Sequence, residues 1–232
     1  SEAALTTEQP CYPLNVYFCA GCGHVQLLDV VDPRLLFEDY VYVSGTSPHF
    51  VKHFEDYAEG VIGRFKPPAG SLAVDIGSND ATLLSAFQSR EMGGLGVNPA
   101  RDIAARATEA GTETMAAFFT PNLAVEILDN RGPARIVTAN NVFAHADDLS
   151  GIARGVRTLL APDGVFVFEV SYLADVVADT LFDTIYHEHL AYHSVKPLRR
   201  FFKDNAMRLF SAQRVSTHGG SLRGMAGLER GP

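Results

Sequence analysis

Leu72-Ala73-Val74-Asp75-Ile76-Gly77-Ser78-Asn79-Asp80 decides how this chain folds. It reads as a short apolar strand that stops at a glycine and three polar residues, and residues 80–87 then read as a helix. A strand that passes through one glycine into a helix is the opening unit of a doubly wound α/β domain. Ligands of such domains lie beyond the carboxyl ends of the strands, closest to this first turn. Gly77 lets the backbone approach a ligand closely. The later glycines of the GxGxxG pyrophosphate fingerprint are replaced by Asn79 and Ala81, which argues against NAD. Asp75, Gly77, Ser78 and Asn79 are therefore candidates for contact with a different small cofactor.

Working outward, the same rhythm continues. Strands are expected at 94–97, near 113–115, at 136–138 and at 165–170. Helices are expected from about residue 100, at 123–128 and at 149–160, and residues 209–215 and 222–226 would close the sheet as a strand pair. This alternation predicts a Rossmann-like, doubly wound, mainly parallel sheet covered by helices on both faces. Upstream, Ser47-Pro48 is a helix start, followed by apolar residues at helical spacing from Phe50 to Phe65, and Pro67-Pro68 ends that helix. Three regions are expected: 1–33, a partial zinc-binding domain; 34–70, a helical linker or lid; and 71–232, the cofactor-binding catalytic domain.

Composition sets limits. The 232 residues suffice for one substantial core and a small appendage, and 47% hydrophobic with 20% charged content is that of a globular protein. A formal charge of −8 argues against nucleic acid, whose phosphates call for a basic face. There is no membrane-length apolar run and no secretion signal, so a cytoplasmic setting is expected. The three cysteines lie within the first 22 residues and make no disulfide framework. Cys19 and Cys22, a CxxC followed by Gly23 and a strand-like run, read as half of a zinc site. The sequence is silent on oligomeric state.

Chemistry concentrates in Tyr186-His187-Glu188-His189, four consecutive proton-trading side chains. In a helical turn Tyr186 and His189 point the same way, whereas in a strand His187 and His189 would share a face. A phenol and an imidazole converging on one atom suit proton abstraction beside a carbonyl. A polar surface turn would carry the same residues. Asn98 and Pro99 end the second strand, where nucleotide-binding folds often place a ribose-binding carboxylate. Asn140, Asn141 and His145 follow the fourth strand and are placed for ligand contact.

Taken in order, Cys19-x-x-Cys22, Ile76-Gly-Ser-Asn-Asp, Asn141-Val-Phe-Ala-His145, Ile185-Tyr-His-Glu-His-Leu and His218-Gly-Gly-Ser-Leu-Arg223 resemble the sugar C-methyltransferases, and the glycine turn resembles motif I of class I S-adenosylmethionine-dependent methyltransferases. The resemblance implies an S-adenosylmethionine cofactor, a structural zinc, and methylation of carbon next to the ketone of a nucleotide-linked keto-deoxysugar. It implies His189 as base, Tyr186 and His145 as donors to the enolate oxygen, Glu188 orienting a neighbouring imidazole, and Tyr40 and His187 contacting substrate. The chain departs from the family in three respects. Asn98 stands where the acid is expected and Ala81 where a motif I glycine is. A first cysteine pair and a C-terminal sugar domain would belong to a longer protein.

Two rivals remain. A small-molecule O- or N-methyltransferase would use the same turn without needing Tyr186 and His145 together, and a non-catalytic binding or zinc-structural module would use neither.

Overall fold

The computed structural model describes residues 10–232. Val16–Phe18 (β1) and Val25–Leu27 (β2) pair antiparallel around the Cys19–Cys22 turn. Pro33–Phe37 (α1) is capped by the Asp32 carboxylate, which accepts from the Arg34 N–H. Pro48–Phe65 (α2) begins with proline in its first turn after Ser47, although the Ser47 hydroxyl makes no capping bond. Then come Leu72–Ile76 (β3), Thr82–Gln88 (α3), Gly93–Val97 (β4), Arg101–Glu109 (α4), Thr114–Met115 (β5), Pro121–Arg131 (α5) and Ala134–Asn140 (β6). Leu149–Leu159 (α6), Leu160–Ser171 (β7), Leu173–Ala178 (α7), Ala191–Tyr192 (β8), Val195–Asp204 (α8), Met207–Val215 (β9) and Ser221–Leu228 (β10) complete the chain.

The main sheet has seven strands in the order β5-β4-β3-β6-β7-β10-β9. β10 runs antiparallel to both of its neighbours, and the strands from β5 to β7 pair in parallel. From β3 the chain winds outward to β5, then returns to the far side of β3 as β6. The sheet therefore opens a crevice at the β3–β6 switch. This is the doubly wound, mainly parallel architecture expected from the strand–helix alternation.

Both faces of the sheet are buried, and strand residues take alternate sides. Val74, Val137, Phe166 and Phe168 pack with Leu123, Ile152, Val156 and Phe202 on one face. Ala73, Ile136, Val165 and Val167 pack with Phe54, Tyr57, Val61, Leu84 and Phe87 on the other. Burying each large apolar side chain contributes roughly 1.5–3 kcal/mol. The apolar stripe of α2 is thus the inner lining of one helical layer. Among the described residues, no helix is long and apolar enough to cross a membrane.

Some elements differ from the sequence reading. α5 starts at Pro121, because the Thr120 hydroxyl accepts from the Leu123 N–H and Pro121 fits the first turn. α1 and α8 were not expected. α8 is strongly amphipathic, burying Leu198 and Phe202 beneath a charged outer face. The small sheet takes its third strand, β8, from far along the chain, so residues 16–27 are knitted to the main body.

At that junction His193 is buried with its ring stacked on Phe143 at 5.4 Å and 5.8 Å from His24. Its Nε2–H donates to the Phe143 carbonyl at 3.2 Å. Burial, and then the His24 charge, push its pKa down to about 3. The fold therefore holds His193 neutral where an unfolded imidazole, with an ordinary value near 6.5, takes up a proton, and stability is lost as pH falls below about 6.5. His193→Gln keeps a donor for Phe143 but does not titrate. Between pH 7 and 5, wild type should lose about 2 kcal/mol more than this variant in denaturant titrations.

Candidate active site

The turn after β3 passes through left-handed backbone at Gly77 (φ 70°), Asn79 (φ 51°) and Ala81 (φ 63°). A Cβ on Gly77 would lie 2.2 Å from Val142 Cγ2, so only glycine lets the β3 and β6 ends close up here. Asn79 and Ala81 adopt the geometry that glycine would take without strain. The Asn79 side chain is engaged elsewhere in the protein: Oδ1 accepts from the Ser44 and Asp80 N–H groups at 3.0 and 2.9 Å, and Nδ2 donates to the Tyr42 carbonyl at 2.8 Å. Asp80 Oδ2 accepts from the Gly45 N–H at 2.8 Å. These bonds fasten residues 42–45 over the turn, so Asn79 is a clamp as well as a wall of the site. Only its amide chemistry was legible beforehand.

A cavity of about 780 Å³ lies at the carboxyl ends of β3, β4 and β6. Asp75, Gly77, Ser78, Asn79, Asn98, Pro99, Asn140 and Asn141 all line it. Asp75 is buried and accepts from Thr138 Oγ1 at 2.6 Å; burial pushes its pKa up to about 7 against that hydrogen bond. Asn98 is buried at the end of β4, with Nδ2 only 3.5 Å from the Ala100 carbonyl. Ser78 Oγ and both amide atoms of Asn140 are buried without a hydrogen bond of normal geometry. The Asn140 amide faces the Tyr57 hydroxyl closely enough to bias that phenol. Unpaired buried polar atoms are costly and call for a ligand. A glycine cradle, the under-satisfied Ser78 hydroxyl and Asn140 amide, and a cavity of this size fit a nucleoside-bearing cofactor at Asp75–Asn79, Asn98 and Asn140.

On the other side of the cavity, His189 Nδ1–H donates to the Thr184 carbonyl at 2.8 Å, which leaves Nε2 as the acceptor. The Tyr186 hydroxyl lies 3.1 Å from Nε2 and donates to it. His145 is 5.1 Å from His189, ring to ring, and stacks on Phe37 at 5.6 Å. Burial, and then the His189 charge, push His145 down to about 3, and burial also lowers His189. Burial, and then Glu188, raise Tyr186. The structure thus brings Tyr186, His189 and His145 together in the cavity that the Gly77 turn also lines.

Glu188 has a different partner from the imidazole expected. It faces the Tyr40 hydroxyl, which draws down a carboxyl that burial raises. Burial, and then the Glu188 charge, push Tyr40 up to about 12. His189 is oriented instead by the Thr184 backbone carbonyl, a partner that no side-chain pattern announces. Tyr40 and His187 both line the cavity. His187 Nε2, however, hydrogen-bonds the Pro13 carbonyl at 3.0 Å, tying the N-terminal segment to the site.

Cys19 and Cys22 sit in a tight turn closed by the Gly23 N–H donating to the Cys19 carbonyl at 2.7 Å. Hydrogen bonds from Cys22 hold the Cys19 thiol below its ordinary range. The pair fits half of a tetrahedral zinc site. Among the described residues no group of three or more His, Cys, Asp or Glu side chains converges to complete one.

The sheet order, with its crevice at the strand switch, is that of the class I methyltransferase fold. Residues 50–209 match the family described as "Methyltransferase domain", and the chain belongs to that family. Residues 1–37 match a second, described as "Putative zinc binding domain". The chain is 36% identical over 211 residues to the C-methyltransferase NovU of Streptomyces niveus, covering 91% of this chain and 50% of that protein. It thus spans about half the length of the curated relative it matches. Among solved structures, magnesium protoporphyrin IX methyltransferase of Synechocystis PCC 6803 with bound S-adenosylmethionine superposes with a TM-score of 0.58 at 14% identity, over 85% of this chain and 97% of that one. A methyltransferase of Clostridium acetobutylicum, S-adenosylmethionine-dependent, gives 0.58 at 10% identity over 77% and 92%.

The Asn79 clamp has a direct test. Asn79→Ala removes the acceptor of the Ser44 amide, so hydrogen exchange at Ser44 should quicken about tenfold or more while β3 amides keep their protection. Unchanged exchange at Ser44 would remove Asn79 from the clamp.

Proposed function

We propose that this chain carries the catalytic centre of a C-methyltransferase that methylates carbon next to the ketone of a nucleotide-linked keto-deoxysugar. The observation that carries this reading is the Tyr186–His189 pair with His145 beside it, in one cavity with the Gly77 turn. Similarity to NovU, whose name is that of a C-methyltransferase, supports it. S-adenosylmethionine held at Asp75–Asn79, Asn98 and Asn140 supplies an electrophilic methyl group. Residues 71–232 form the catalytic unit in this reading, 34–70 its lid, and 1–33 a zinc-binding part to which Cys19 and Cys22 contribute two thiolates.

The roles follow from donors and acceptors. A proton on carbon next to a ketone is removable only if the forming enolate is stabilised, because an isolated enolate is a far stronger base than imidazole. His189 is the base. The Thr184 carbonyl fixes its tautomer, so the lone pair on Nε2 faces the cavity. Burial favours its neutral form, which keeps it ready to accept a proton at neutral pH. The Tyr186 hydroxyl covers Nε2 in this structure. A bound ketone oxygen competes for that hydroxyl, and when Tyr186 turns to donate to it, Nε2 is freed for the α-proton. His145, neutral and desolvated, is the second donor. One phenol thus guards the base and steadies the enolate.

Exchange of the sugar's α-proton in deuterated water isolates this step, since an O- or N-methyltransferase would show none. His189→Asn should reduce exchange at least about 100-fold and leave S-adenosylhomocysteine binding by calorimetry within about twofold. With His189 lowered, the exchange rate in wild type should fall only below pH 6.5, as the imidazole protonates. Full exchange in His189→Asn would take the base role from this residue. A second measurement concerns Asn98: Asn98→Asp provides the missing carboxylate and should tighten S-adenosylhomocysteine binding about tenfold.

A further inference from the structure

The reaction as proposed leaves two cavity-lining imidazoles unused, His187, which hydrogen-bonds the Pro13 carbonyl, and His218. His218 sits in the turn 217–219 that leads into β10, with φ 50° and ψ 40°. It begins three successive left-handed residues, followed by Gly219 (φ 77°) and Gly220 (φ 130°). A histidine in this region is strained, and the surroundings hold it there. The Gly220 N–H donates to the Thr217 carbonyl at 3.0 Å, as does Ser221 Oγ at 3.0 Å. The Tyr172 N–H donates to the Gly220 carbonyl at 3.2 Å, and a Cβ on Gly220 would meet Asp175 Oδ2 at 2.6 Å.

Beneath the turn lies a buried ionic cluster. Glu169 on β7 takes hydrogen bonds from Arg223 Nε at 2.5 Å and from His53 Nε2 of α2 at 2.8 Å, and Arg223 lies over the Tyr57 ring at 4.2 Å. The cluster joins β7, β10 and α2, and so fixes Phe50 of α2 relative to His218. The two rings meet at 4.8 Å.

The His218 ring lines the cavity, and neither of its nitrogens has a hydrogen-bond partner among the described residues. His189 feels its charge, so the His218 ring lies near the reacting imidazole. Burial disfavours its charged form. A neutral imidazole offers one donor and one acceptor, which is the complement of a hydroxyl group. The Phe50 ring beside it offers an apolar surface for the C–H face of a sugar ring.

We propose that His218 is a substrate contact that hydrogen-bonds a hydroxyl of the sugar, with the Glu169–Arg223–His53 cluster positioning it against Phe50. This rests on the reading of the cavity as a keto-sugar site. Removing such a contact strips binding shared by ground and transition states, so it acts mainly through KM.

Two variants test it. His218→Asn suits left-handed backbone but is too short to reach, and His218→Phe keeps the packing on Phe50 without a hydrogen-bonding nitrogen. With a thymidine-diphosphate-linked 4-keto-6-deoxyhexose as probe, KM should rise about tenfold in both, with kcat within about threefold. S-adenosylhomocysteine binding and the melting temperature of His218→Asn should match wild type. The His218 ring nitrogens, assigned by their loss in His218→Asn, should shift in NMR spectra of wild type on adding the sugar nucleotide. Unchanged KM in both variants, or ring resonances indifferent to the sugar nucleotide while wild type turns over, would overturn the proposal. Wild type that binds S-adenosylhomocysteine yet shows neither α-proton exchange nor turnover would instead overturn the keto-sugar reading, and this proposal with it.

Discussion

The contact between Gly77 and Val142 is the constraint on which the site depends. β3 and β6 are neighbouring central strands, paired up to Ile76 and Ala139, and the segments beyond their carboxyl ends must diverge to leave a crevice. The chain achieves this by turning sharply at Gly77, against which Val142 packs more closely than any Cβ would permit. Everything downstream inherits this register. Asn79 and Asp80 are thrown toward residues 42–45 and clamp them. Asn140 and Asn141 end β6 beside the turn. His145, a few residues on, is brought against His189. A side chain at position 77 would push β6 outward and disturb the cofactor wall and the imidazole pair at once.

The second organising principle is desolvation, which acts differently at the two sides of the cavity. On the reacting side it keeps imidazoles neutral: His145 and His189 are both lowered, and among the described residues no carboxylate reverses this. Glu188, the nearest acid in the sequence, faces Tyr40 instead. At Asp75 burial acts the other way on an acid, pushing its pKa up to about 7 against the Thr138 hydrogen bond. Charge is concentrated lower down, where Arg223 neutralises Glu169 and His53 hydrogen-bonds the same carboxylate. Removing one partner of such a cluster is far worse than removing none, since the others are left buried and unpaired. The cluster therefore behaves as a unit that holds α2 against the sheet.

How far the sequence was legible depended on whether the deciding interaction was local. β3, β4 and β7 declared themselves because buried parallel strands are short apolar runs and both faces are covered. α8 was missed because its charged face dilutes the apolar signal, although Leu198 and Phe202 lie on one side of it. Residue types in the site were readable, but their partners were not. Tyr186 and His189 are three apart and meet as a turn requires. The Thr184 carbonyl that orients His189, the Pro13 carbonyl that takes His187, and the Tyr40 hydroxyl that meets Glu188 are backbone or long-range contacts, with no trace in composition or spacing.

The left-handed residues show why some positions could be noticed but not interpreted. Asn79, Ala81 and His218 all carry positive φ, a region that Asn and His tolerate better than Ala. At Asn79 the strain is offset by three side-chain hydrogen bonds, and at Ala81 by complete burial against α2 and α3. At His218 the turn itself holds the backbone, and the exposed ring, with no hydrogen bond to the described residues, stays open to a group that enters the cavity. That is why the turn before β10, quiet in any count of charges or motifs, is the part of this chain that says most about what enters the cavity.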